Sequence, residues 1–391
     1  MTINLTRRLM LTGAMGSSIA GAAACVSSVG GAVTPAAAEA EGAFPATPGI
    51  DPYLLGPKEG VALLSRNENP YGPSKSARDM IEYAASKGAY YTSRDAQVQL
   101  VEMIAEKNGV SPEQVVVTTG SGEVLCAIAL IYGPKGPIVA PRLFWDTTAL
   151  YAVNLGMAEI ERVPLAADMS IDLPAIEAKV TDQTGLVQLC NPNNPTGLVS
   201  DAATLQAAVK RMASKTTVLV DEAYIELSDD PDANSCVPLI NQGHDVIVTR
   251  TFSKIYGMAG VRVGYSISSA ETAAKIRATA MSWSPSLSIA AAIGCYNDDA
   301  FLAMSRSKIQ EARDMVNMTV DTLGLTRLPS QTNFVYFKSG KEANDVQKAM
   351  ADRQISVRGQ YMDYNEWTRV SMGKIADVER FCKALPEVLG A

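Results

Sequence analysis

Between residues 115 and about 280, short apolar runs alternate with longer amphipathic stretches. An apolar run of strand length without polar alternation is a strand buried on both faces, and helix-length segments between such strands make crossovers. The pattern is that of a parallel sheet covered by helices. It predicts strands at Val115–Thr119, Pro137–Ala140, Ile160–Val163, Leu186–Cys190, Thr217–Val220, Val246–Thr249 and Val261–Ser266, with helices at Gly122–Ile131, Asp201–Ala213 and Glu271–Met281. After Ala300 the character changes to a long charged helix, Leu302 to Leu323, then shorter strands at Phe334–Phe337 and Thr368–Ser371. The expected class is α/β: a large domain on a mostly parallel seven-stranded sheet flanked by helices, and a smaller α+β domain after it.

The chain has 391 residues, 47% of them apolar, enough for a large domain plus a smaller one. A net charge of -7 and a pI near 5.0 supply no basic face for nucleic acid or anionic lipid. Small-molecule chemistry is the expectation.

The first forty residues are different in kind. Arg7-Arg8 precede a Gly/Ala-rich apolar stretch from Leu9 to Val33, and Ala36-Ala37-Ala38 follow. Charge, apolar region and small-residue cleavage site make residues 1–40 a signal peptide, and the paired arginines resemble the twin-arginine type, which exports folded proteins. A retained membrane anchor, or a lipoprotein site at Cys25, are the alternatives. The expected location is outside the cytoplasm, in the periplasm.

The six cysteines show no paired spacing, and the single histidine, His244, sits in a loop-like Gly-His-Asp context. Neither a disulfide framework, nor a histidine-rich metal site, nor a Ser-His-Asp triad can be drawn from them.

Four polar strings fall at the carboxyl ends of predicted strands, where open parallel sheets bind ligands. Thr119-Gly-Ser121-Gly122-Glu123 takes a strand into a helix through glycines, offering backbone N–H groups to an anion. Asn191-Pro-Asn-Asn194-Pro-Thr-Gly197 is a rigid loop that can hold an amide in place. Asp221-Glu-Ala-Tyr224 puts a carboxylate at a strand end, where burial without a cationic partner is costly. Thr251-Phe-Ser253-Lys254, followed by Gly257, Gly260 and Arg262, places a lysine beside a hydroxyl and an arginine; desolvation or a neighbouring cation makes such an amine a nucleophile. A tight turn, a plain loop, a helix cap and a solvated lysine are the ordinary readings of the four taken singly.

Together, in this order, the strings resemble the class I/II aminotransferases of pyridoxal-phosphate fold type I, most closely the histidinol-phosphate aminotransferase branch. The resemblance runs from about Pro52 to the end and implies an aspartate-aminotransferase-like fold, with an arm over residues 41–75 joining the small domain, a large cofactor-binding domain over 76–299 and a small domain over 300–391. It implies pyridoxal 5'-phosphate as cofactor, an amino acid and a 2-oxo acid as substrates, a ping-pong cycle and a homodimer. By the same resemblance Lys254 holds the cofactor covalently and shuttles the proton, Asp221 pairs with the ring nitrogen, and Asn194 and Tyr224 donate to the ring oxygen. Ser121, Gly122, Glu123, Ser253 and Arg262 surround the phosphate, which a tyrosine like Tyr91 reaches from the neighbouring subunit. Arg369 grips the substrate carboxylate, with Tyr53, Asn69, Asn194, Asn333 and Arg358 also on the substrate side.

The chain departs from the family at Tyr90-Tyr91-Thr92-Ser93, where Arg-Tyr-Pro-Asp is usual, and after Pro141, where Phe144 and Trp145 are both candidates to stack on the ring. The leader speaks against cytoplasmic histidine synthesis as the setting. A decarboxylase of the threonine-phosphate type and a non-catalytic cofactor-binding protein are the competing readings.

Overall fold

The structure is a computed structural model that describes residues 54–281 and 283–390. The expected signal segment, residues 1–40, and Tyr53 lie outside them. Seven strands form the main sheet: β1 (Val115–Thr118), β2 (Ile138–Pro141), β3 (Ile160–Val163), β4 (Leu186–Cys190), β5 (Val218–Asp221), β6 (Val246–Thr251) and β7 (Gly264–Ile267). Their order is β1-β7-β6-β5-β4-β2-β3. All neighbours are parallel except β7, which runs antiparallel to both β1 and β6. Every residue of β1, β2, β4, β5 and β7 is buried, which is why these strands read as unbroken apolar runs.

Most strand ends shift by one to three residues from expectation, and two of the differences bear on the site. The seventh strand begins at Gly264 and not at Val261, because Arg262 has φ +62, a left-handed turn that no strand continues through. The fifth extends one residue further, to Asp221. The reversed direction of β7 has a consequence for chemistry: its amino end, carrying Arg262, lies at the same edge as the carboxyl ends of the other strands.

The second sheet is antiparallel, ordered β10-β9-β8, from β8 (Thr326–Arg327), β9 (Phe334–Lys338) and β10 (Trp367–Ser371). The helices Asp299–Thr322, Ala343–Ala351 and Ile375–Leu389 pack around it, burying Phe334, Phe337 and Phe381. Ala62–Leu63 pairs in parallel with Ile355–Ser356, and Ser371 N–H donates to Leu64 carbonyl at 2.8 Å. These bonds lay Ser65–Glu68 beside β10. From Leu55 onward the chain is one compact unit.

Asp221 and Glu222 alternate across the sheet, and Glu222 falls on the face away from the cavity described below. Its carboxylate is 0% exposed and takes Arg250 Nη2 at 2.8 Å and Nε at 3.0 Å, with Cys236 N–H at 2.7 Å. Removing one partner strands the other charge, so Arg250→Met is expected to cost about 3–5 kcal/mol, whereas Glu222→Leu with Arg250→Met recovers most of it. Urea unfolding of the wild type and the two variants checks this; equal loss in the single and the double would show that the pair is not the source.

Candidate active site

The strand ends meet in a cavity of about 610 Å³. It is lined by Ser121 and Gly122 after β1, Phe144 and Trp145 after β2, Asn194 after β4, Asp221 and Tyr224 at β5, and Ser253, Lys254 and Arg262 between β6 and β7. Arg358 and Arg369 enter from the second sheet, and Ser65–Glu68 closes one side.

Asp221 is buried, and among the described residues its side-chain partner is the Thr249 hydroxyl, which donates to it at 3.0 Å across the β5–β6 register. Burial raises its pKa to about 6, against the pull of Thr249 and Lys254. Lys254 Nζ lies 5.5 Å over the Tyr224 ring and donates to Asn67 carbonyl at 3.3 Å. Burial, then Arg369, lower its pKa to about 8, with Glu68 and Asp221 opposing. Tyr224 is pushed upward by burial.

Arg369 is 4% exposed, and among the described residues its guanidinium meets no carboxylate: Nη1 donates to Asn194 Oδ1 at 2.7 Å, Nη2 to Ser65 carbonyl at 2.7 Å, and Nε finds no partner there. Burial lowers its pKa. A buried cation with an unmatched donor is a site for an anion.

At the β1 end, the helix Ser121–Tyr132 starts without a side-chain cap on Gly120, whose φ is +76. A Cβ at Gly120 would stand 2.2 Å from Arg262 Nη2, and one at Gly264 would stand 2.1 Å from Ser121 N. Glycine at both positions lets the guanidinium lie against the open helix N-terminus, where Arg262 Nη1 also reaches the Ser253 hydroxyl at 3.3 Å. Backbone N–H groups, a hydroxyl and an arginine converge there, a donor set suited to a phosphate.

The model of the family described as aminotransferase class I and II matches residues 59–385. The chain is 32% identical to the histidinol-phosphate aminotransferase of Halalkalibacterium halodurans, over 85% of this chain and 90% of that one. Histidinol-phosphate aminotransferase from Sinorhizobium meliloti, solved in complex with pyridoxal-5'-phosphate, superposes with a TM-score of 0.77 at 30% identity, over 84% of this chain and 91% of that one. Aspartate aminotransferase of Thermus thermophilus, with maleate, shares the fold at a TM-score of 0.72 and 19% identity, over 84% and 92%.

The chain belongs to the class I and II aminotransferases. It is a pyridoxal-phosphate-dependent transaminase similar to the histidinol-phosphate aminotransferases, with the aspartate-aminotransferase-like fold. The cavity fits the cofactor: an amine of lowered pKa, a buried carboxylate and the phosphate-sized donor set stand in one space.

Several residues expected at the aminotransferase site stand elsewhere. Glu123 lies behind the helix start, where its carboxylate accepts Thr119 N–H at 2.7 Å. Asn69 is buried under the lysine loop, its amide donating to Ile255 carbonyl at 2.7 Å and to Ser305 at 3.1 Å. Asn333 is also under the floor, donating to Asn67 carbonyl at 2.9 Å. Tyr91, expected to serve the neighbouring subunit's site and not its own, is 86% exposed on this chain and packs edge-on against Trp283 at 5.3 Å. Asn194 does face the cavity, but its carbonyl oxygen is taken by Arg369. Phe144 is buried with the Arg162 guanidinium 5.6 Å over its ring, and Trp145 is half-buried; both are walls of the cavity. Sequence reasoning missed Asn67 and Tyr361 as lining residues. Asn67 stands two residues before Asn69, which the resemblance had pointed to; nothing local marked Tyr361, over whose ring Arg358 and Arg369 lie at 5.1 and 5.4 Å. Among the described residues no cluster suited to a metal ion occurs.

Proposed function

We propose that this transaminase is exported by a twin-arginine-type signal, works as a homodimer, and moves an amino group between an amino acid and a 2-oxo acid in a ping-pong cycle. Arg369 carries the reading of the substrate: a buried guanidinium without a counter-carboxylate suits the α-carboxylate common to both substrates. Pyridoxal phosphate, when bound, supplies an aldehyde carbon that takes the substrate amine and a ring that accepts the electron pair left by the α-proton.

The residues divide the remaining work. Asp221 would keep the ring nitrogen protonated, and Asn194 and Tyr224 would hold the ring oxygen. Ser121, Gly122, Ser253 and Arg262 hold the phosphate. Lys254, its amine desolvated, would take the substrate α-proton and give it back. Export of a folded chain implies that the cofactor is loaded before transport, and it places the amino donor outside cytoplasmic histidine synthesis.

The test is a half-reaction. Single amino acids are added to the cofactor-loaded enzyme without a 2-oxo acid, and the visible absorbance, 2-oxo acid and carbon dioxide are measured. One equivalent of 2-oxo acid per site supports transamination. Carbon dioxide in its place would establish decarboxylation, and a cofactor band that no donor changes would leave a binding protein.

The dimer rests on an exposed apolar patch in which Tyr91, Trp283 and Met281 are 86%, 76% and 94% exposed. A second copy of the chain covers it in this reading. Sedimentation of the leader-free enzyme is expected to give a dimer, and Trp283→Asp a species shifted toward monomer; a wild-type monomer at micromolar concentration would end the proposal.

A further inference from the structure

Asn67 is 2% exposed and has φ +56, a left-handed conformation that glycine, asparagine and aspartate enter most readily. Its hydrogen bonds reach four other residues. Its N–H donates to Ser371 Oγ at 2.9 Å, and the same hydroxyl donates back to Asn67 Oδ1 at 2.7 Å. With Oδ1 held there, Nδ2 faces the cavity and donates to the Tyr224 hydroxyl oxygen at 3.0 Å. The Asn67 carbonyl accepts Lys254 Nζ at 3.3 Å and Asn333 Nδ2 at 2.9 Å.

A phenol has one proton. When its oxygen accepts a hydrogen bond from an amide, that proton stays free for a different acceptor, and the accepted bond polarises it toward stronger donation. The Tyr224 ring is fixed by Phe334, edge-on at 5.3 Å, so its hydroxyl cannot swing away. The charged groups that face it are Arg369, Asp221 and Lys254. None of them is a hydrogen-bond partner of the hydroxyl; Asn67 is.

We infer that Asn67 is a positioning residue, whose amide aims the Tyr224 proton into the cavity while its carbonyl steadies Lys254. The inference rests on the reading of Tyr224 as a donor to the cofactor's ring oxygen. Asn333 then acts at one remove, by holding the Asn67 carbonyl.

Two substitutions keep the left-handed backbone and change only the side chain. Asn67→Gly removes the amide; Asn67→Asp keeps its shape but offers a carboxylate oxygen, which takes the Tyr224 proton for itself. The readout is the pH midpoint at which the visible absorbance of the resting, cofactor-loaded enzyme changes. A donor to the ring oxygen keeps that oxygen anionic and lowers the midpoint, so the midpoint is expected to rise by about half a pH unit in Asn67→Gly and by about one or more in Asn67→Asp. In a Tyr224→Phe background both substitutions are expected to lose their effect, because the proton they steer is gone. Ser371→Ala, which frees Oδ1, is expected to move the midpoint in the same direction as Asn67→Gly.

Unmoved midpoints in Asn67→Gly and Asn67→Asp, or shifts that persist in full without the Tyr224 hydroxyl, overturn the inference. Thermal unfolding of the cofactor-free variants separates this from a structural defect, which would lower the melting temperature and leave the midpoint in place. A wild-type protein with no visible band after cofactor is supplied would sink the cofactor reading itself, a failure distinct from unmoved midpoints in a protein that has the band.

Discussion

Lys254→Ala is expected to fold normally and to lose transamination by at least about 10⁴-fold, the combined scale of a lost covalent anchor and a lost general acid–base. The ordinary lysine pKa of 10.5 leaves roughly one amine in three hundred neutral at pH 8, whereas a value of about 8 leaves about half neutral. Burial is the main cause, Arg369 the next. A neutral amine can attack the cofactor aldehyde and later accept a proton; an ammonium can do neither. The same shift says that the substitution is harmless to the cofactor-free fold. With its folded pKa depressed, the amine's contribution to stability is present above 10.5 and lost as pH falls through about 8, so at pH 7 the charged amine is a burden that alanine removes. Single-turnover formation of 2-oxo acid, with melting curves at pH 7, checks both parts. Turnover within tenfold of wild type would remove Lys254 from the mechanism.

The residues that were legible in sequence are those whose neighbours along the chain explain them. β4 and β5 are apolar runs because both faces are covered, and the strings that follow them are polar because they stand at the open edge. Arg262 was legible through its glycine-rich string, although its left-handed turn and the late start of β7 were not, since arginine carries no local sign of positive φ. The helices Lys75–Ala85 and Arg94–Asn108 went unread; the second is largely polar, with Leu100, Ile104 and Ala105 its buried residues. What stayed hidden in the site depends on contacts far apart in sequence. Asn67 meets Tyr224 across 157 positions and Ser371 across 304, and Asn194 meets Arg369 across 175. Asn69 and Asn333 looked like site residues because the family resemblance put them there, but they serve as braces beneath it. Family resemblance reports that a residue matters to the site, not that it touches the ligand.

Asp221→Asn brings out a conflict between stability and function at one residue. The carboxylate is buried, held by the Thr249 hydroxyl and the Ala223 backbone, and titrates at about 6, whereas in the unfolded chain it titrates near 3.8. Because the folded value is the higher one, the acid's contribution to stability is complete below 3.8 and is lost as pH rises through 6. Above that, the cofactor-free protein holds a desolvated anion at a cost on the order of 2–3 kcal/mol, by the scale of about 1.4 kcal/mol for each pH unit between the two values. Asparagine is neutral and nearly isosteric. The variant is therefore expected to be more stable than wild type at pH 7.5 by that order and equal to it at pH 3.5, with the difference opening between the two titrations. Cofactor reverses the order, since the wild-type anion gains a protonated ring nitrogen that asparagine cannot hold, and bound ligand adds its own stabilisation. Turnover of the variant is expected to fall about 10²–10³-fold, the scale of losing one preorganised electrostatic partner. Melting curves at both pH values, with and without pyridoxal phosphate, decide the matter. If the cofactor-free wild type is as stable as the variant at pH 7.5, the buried carboxylate already has a partner that offsets its desolvation, and its readiness for the cofactor has another source.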